Sequence, residues 1–109
     1  MAPDTASQLI PMLTTAPEYE RIQRQVADEQ LLATIVFSAK EAVYKSLYPI
    51  LGQRMDFPEV SIQNIDCIEK RFSFTLVPHI ASRLPEPPNL VGRFDVVDGL
   101  IYSGVFWPR

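Results

Sequence analysis

The sequence has 109 residues, 47% of them hydrophobic, with ten Lys+Arg against thirteen Asp+Glu and a formal net charge of -3. That length supports one small domain with a modest core and leaves no room for a second. The acidic balance and the scattered basic residues remove any general electrostatic pull toward nucleic acid, and no apolar run approaches the roughly 20 residues that a membrane span needs.

Cys67 is the single cysteine, so it forms no internal disulfide, and no Cys/His cluster around it suggests zinc. The opening MAPDTASQLIPML lacks a positively charged leader and its apolar run is broken by Pro11. A soluble, cytoplasmic protein is expected, with neither nucleic-acid nor membrane partners.

In chain order, the first segment predicts a helical turn around Pro11. TAPEYERIQRQ then places Thr15 three residues before Glu18, a capping box, with Pro17 in the first turn where an amide has no intrahelical partner. A short helix from Ala16 to Val26 is expected. Asp28 reads as a second N-cap, opening a long helix whose apolar positions Leu31, Leu32, Ile35, Val36, Ala39, Val43 and Leu47 keep near-3.6 spacing. That helix is expected to stop before Pro49.

After Gly52 the period changes. VSIQNIDCI carries Val60, Ile62, Ile65 and Ile68, and RFSFTLV carries Phe72, Phe74 and Leu76, so the two read as a hairpin turning at Glu69-Lys70. HIASRLPEPPNL, with three prolines between Pro85 and Pro88, reads as a loop. In GRFDVVDGLIYSGVFW, Asp98-Gly99 between two apolar strands is the preferred chemistry of a type I′ hairpin turn. Two helices packed on a small antiparallel sheet make an α+β domain, spanning residues 1–109 as one unit.

The chemistry concentrates in FSAKEAVYK, residues 37–45. Glu41 and Lys45 are four apart and share one helical face, with Phe37 a turn below and Lys40 beside them. One reading is a solvated surface ion pair, which stabilises a helix by only ~0.3–0.5 kcal/mol. The other is a carboxylate held near a magnesium ion and an ammonium aimed at a phosphate, the division of labour that phosphoryl chemistry needs. Spacing alone leaves both open.

The words around the pair favour the second. FSAKEAVYKSLYP, followed by strands ending in GRFDVVDGLIYSGV, resembles the C-terminal half of 4'-phosphopantetheinyl transferases of the enterobactin-synthetase type, with Phe37, Ser38, Lys40, Glu41 and Lys45 matching a family motif in order and spacing. The LTTAPEYERI segment resembles the family's preceding helix start, so the resemblance covers most of the chain. It implies half of a pseudo-dimer fold and a Mg2+-dependent transfer of the phosphopantetheine arm of coenzyme A to a serine of an acyl, peptidyl or aryl carrier protein. A place in siderophore or secondary-metabolite biosynthesis goes with that type. By this resemblance Glu41 holds Mg2+ and acts as, or positions, the base. Lys45 contacts the coenzyme A phosphates and Lys40 assists there.

The family's Gly-x-Asp-x-Glu strand has no counterpart in this sequence. Asp4 stands in APDTA with no apolar strand before it, and Ala6 occupies the place of the second acid. The resemblance therefore implies an incomplete half, poorly active alone, that works with a missing N-terminal half or by self-association. The alternative is a catalytically inactive remnant that binds or regulates carrier proteins. Of the remaining residues, His79 is expected on a surface loop without a partner and Cys67 as a small apolar side chain at a strand end. Phe72, Phe74, Phe94, Phe106 and Trp107 are expected in the core or on the sheet. Tyr44 and Tyr48 are expected to pack on the sheet or to border a carrier-protein surface.

Overall fold

A computed structural model describes residues 10–52, 59–83, 91–98 and 100–106. Two helices, α1 (Ala16–Ile22) and α2 (Glu29–Leu51), precede the hairpin β1 (Val60–Asp66) and β2 (Arg71–Leu76). A single helical turn, α3 (Pro78–Ala81), then leads toward the hairpin β3 (Val91–Val97) and β4 (Leu100–Phe106). The strands form one antiparallel sheet in the order β1-β2-β3-β4. This is an α+β fold, with helices packed on a four-stranded sheet.

Local chemistry starts both helices where the sequence places them. The Thr15 hydroxyl accepts from the Glu18 amide at 3.4 Å and the Glu18 carboxylate accepts from the Thr15 amide at 3.3 Å, closing the capping box. Asp28 accepts from the amides of Gln30 and Leu31 at 3.0 and 3.3 Å. Upstream, residues 10–13 are helical and bury Ile10 and Leu13.

Two helix ends differ from expectation. The first helix stops at Ile22 rather than Val26, because the Gln25 amide donates three residues back to the Ile22 carbonyl and tightens the turn. The freed Gln25 side chain accepts from the Ile65 amide at 2.6 Å. The long helix runs through Pro49 to Leu51. A proline so near the end sacrifices only the bond its own amide would have made to the Lys45 carbonyl. Leu51 is buried in the core, and Gly52, at φ 69, closes the helix in the left-handed conformation with its amide on the Tyr48 carbonyl. Arg83 adds a hydrogen bond to the Leu51 carbonyl at 2.9 Å.

Leu32, Ile35, Val36, Ala39, Val43 and Leu47 of α2 pack on Val60, Ile62, Ile65, Phe72 and Phe94 of the sheet. Each such side chain contributes about 1.5–3 kcal/mol when fully buried. Ile62 and Ile65 are both inward despite their odd spacing because a β-bulge lies between Ile62 and Asn64.

Ile68 and Cys67, expected inward, are exposed, with Ile68 at 91%. The strand ends at Asp66, whose carboxylate accepts from the amides of Ile68 and Glu69 and turns both residues outward. The segment expected as loop after Val77 begins as α3, and residues 84–90 with its prolines lie outside the described residues. Gly99, Trp107 and the side chain of Phe106 also lie outside them. Asp98 has φ 53, and Val97 pairs with Leu100 across the hairpin, as a two-residue turn requires.

Candidate functional site

A groove of about 710 Å³ runs between α2 and the β3–β4 hairpin. Asp28, Leu31 and Thr34 line one end from the start of α2, Phe37, Ser38 and Glu41 line the middle, and Lys45 lines the far end. The hairpin contributes Val96, Leu100, Ile101, Tyr102 and Ser103. The 3.6-residue period of α2 sets this row, because positions 34, 38, 41 and 45 fall on one face of the helix, beside its buried stripe.

Glu41 is half-buried and Lys45 exposed. Among the described residues neither side chain has a hydrogen-bond or ion-pair partner, and they do not bridge to each other. The surface ion pair that their spacing allows is thus not formed. A carboxylate and an ammonium stand one turn apart along the same groove, both available to a ligand. Below them the Ser38 and Ser103 hydroxyls hydrogen-bond at 2.7 Å and tie α2 to β4.

Lys40 lies elsewhere. Its side chain is buried, with Nζ 3.0 Å from Glu18 Oε1 and 2.5 Å from the Leu13 carbonyl. Expected at the coenzyme A phosphates, it is instead enclosed on the side of α2 that faces α1. Burial lowers the pKa of its ammonium, while the charge of Glu18 and the hydrogen bond to it pull the other way. Glu18 also accepts from the Ile62 amide at 2.5 Å, so one carboxylate joins α1, α2 and β1. His79, expected without a partner, is exposed and has Nε2 2.7 Å from Glu59. Tyr44 and Tyr48 pack against each other with ring centroids 5.8 Å apart, and Tyr48 remains exposed.

The groove residues of the hairpin, Ser103 opposite Ser38 among them, have no signal in the sequence beyond strand alternation, which sends successive side chains to opposite faces but does not say what either face meets. Residues 2–84 match the 4'-phosphopantetheinyl transferase superfamily.

The chain belongs to that superfamily. No curated protein matches the chain. The match covers α2 with Glu41 and Lys45 and ends before β3 and β4, so the hairpin wall of the groove lies outside it. Members of this transferase superfamily use coenzyme A and Mg2+ and act on carrier proteins.

The residues present fit magnesium in part. Mg2+ is commonly held through one or two carboxylates together with substrate phosphates and water, and the half-buried carboxylate of Glu41 suits one such position. Among the described residues no group of three or more His, Cys, Asp or Glu gathers to complete a cage, and Asp4 lies outside those residues. No described helix is long and apolar enough to cross a membrane.

Proposed function

We propose that this chain is a working part of a phosphopantetheinyl transferase of the enterobactin-synthetase type, its C-terminal half, which moves the phosphopantetheine arm of coenzyme A to a carrier-protein serine. The observation that carries this is the pair Glu41 and Lys45, lining one groove without bridging to each other. An ion pair that served only stability would be closed.

In the reaction the serine hydroxyl oxygen bonds to the phosphorus that bears the pantetheine arm. The phosphoanhydride bond on the far side breaks and 3',5'-ADP leaves with the electron pair. The serine proton passes to a base that Glu41 either provides or positions. Lys45, at the open end of the groove, meets the phosphates and stabilises the charge that grows on the leaving group. Glu41 would be this chain's ligand to Mg2+, which when bound would neutralise charge developing in the transfer. Lys40 contributes indirectly, since its ammonium is committed to Glu18.

The groove carries one lysine against the acids Asp28 and Glu41, a poor match for the several phosphate charges of coenzyme A. That supports a site completed by another half or a second copy of the chain. The exposed Val96, Val97, Leu100 and Tyr102 at the hairpin tip supply apolar surface for such a contact. They equally favour the second reading, an inactive module that binds acyl, peptidyl or aryl carrier proteins.

The test is a transfer assay with coenzyme A, Mg2+ and an apo carrier protein, with and without an added N-terminal half. Modification of the carrier only in the presence of that half is expected. Absence of transfer in both arms, with the carrier still bound, would replace the enzyme by the binding module. Robust transfer by the chain alone would overturn the proposal of an incomplete half.

A further inference from the structure

Lys40 is the charged side chain of the 37–45 motif that turns away from the groove. A buried ammonium is costly unless it is paired and fully hydrogen-bonded. Among the described residues the compensation includes two groups outside α2. One is the Leu13 carbonyl, and the other is Glu18, itself fixed by the Thr15 amide in the capping box and by the Ile62 amide on β1.

These partners are directional, whereas the apolar contacts of Leu32, Val36, Val43 and Leu47 with the sheet are not. A small rotation of α2 about its axis costs repacking in the core but leaves no apolar side chain without a neighbour. The same rotation withdraws the Lys40 ammonium from both acceptors. Successive residues of an α-helix project about 100° apart, so fixing the direction of Lys40 also fixes that of Glu41. On the groove side the Ser38–Ser103 hydrogen bond reports whether α2 holds this rotation.

We propose that the buried Lys40–Glu18 pair is a positioning device that sets the rotation of α2 and so holds Glu41 and Lys45 toward the groove. Its purpose rests on the transferase reading, but its geometry does not. Lys40 is a positioning residue, acting through Glu41 and touching no substrate.

The experiment follows the rotation itself, by the nuclear Overhauser cross-peak between the β-protons of Ser38 and Ser103 in the full chain. Glu18→Gln keeps the shape of the partner but removes its charge and turns one of its two accepting oxygens into a donor, and Glu18→Gln with Lys40→Met removes the ion pair altogether. Loss of the cross-peak in either folded variant, with the core methyl contacts of Val43 and Leu47 retained, is expected. A cross-peak of wild-type intensity in both folded variants would overturn the proposal, because the apolar core alone would then set the rotation. Failure of even Glu18→Gln to fold would overturn it as well, by making the pair a condition of folding. Carrier modification by the wild type is scored separately: a silent wild type whose variants lose the cross-peak leaves the positioning role standing and removes the transferase reading.

Discussion

Glu18 and Lys40, 22 residues apart in the chain, meet at 3.0 Å with both side chains excluded from solvent. Breaking such a pair from one side leaves a buried charge without its counter-ion, which costs about 3–5 kcal/mol. Lys40→Ala is therefore expected to destabilise the fold by that amount in urea unfolding. A loss below about 1 kcal/mol would instead match an exposed pair.

Glu41 and Lys45 are expected to behave in the opposite way. Because neither has a partner among the described residues, Glu41→Gln and Lys45→Ala are expected to change unfolding stability by no more than about 0.5 kcal/mol. In an assembly that turns over, each is expected to lower the rate by two to three orders of magnitude, equivalent to ~3–4 kcal/mol of transition-state stabilisation. Rates near wild type at saturating coenzyme A and Mg2+ in both variants would return the pair to an ordinary helix surface.

Asp95 offers a test of pH dependence. The hydrogen bond from Lys70 at 2.7 Å, the Val96 amide and the Lys70 charge hold its carboxyl below the usual 3.8. A carboxyl lowered by folding contributes stability that is fully present above its unfolded pKa and is lost as pH falls through the folded one. The window therefore lies below pH 3.8. Lys70→Ala is expected to move the Asp95 titration midpoint, followed by NMR, upward toward that value. High salt is expected to do the same to a lesser degree, since the pair is exposed.

Gly92 faces Phe72 across the β2–β3 seam, and a Cβ placed on it would lie 2.3 Å from the Phe72 ring. Phe72 is buried, so the ring cannot swing into solvent. Gly92→Ala is expected to cost about 1–3 kcal/mol by overpacking. Adding Phe72→Leu is expected to recover part of the thermal stability that Gly92→Ala alone removes.

Where structure is governed by neighbours in the chain, the sequence was readable. The Thr15-x-x-Glu18 box, the Asp28 cap and both hairpins depend on contacts a few residues long, and each forms, although the first strand ends at Asp66, short of Ile68. Spacing also put Glu41 and Lys45 on one face. It could not show that Lys40, one position away, faces inward to Glu18, nor that Glu18 reaches Ile62, 44 residues on. Those contacts depend on how α1, α2 and β1 come together in space. Pro49 misled because its rule describes the residue before it in isolation, whereas the buried Leu51 and the Gly52 cap decide the helix end. Ile68 misled because the Asp66 carboxylate captures two amides where alternation alone would continue the strand.

The sheet order β1-β2-β3-β4 makes every strand neighbour a sequence neighbour. The two hairpins pair along most of their lengths, while among the described residues β2 and β3 pair at Arg71 with Arg93 and at Phe72 with Gly92, with the Phe94 amide reaching the Lys70 carbonyl beside them. Each hairpin can therefore close over a short loop at little entropic cost, whereas the seam between them needs a long loop to close for very few bonds. The amides at the seam are therefore expected to open to hydrogen exchange before those within either hairpin.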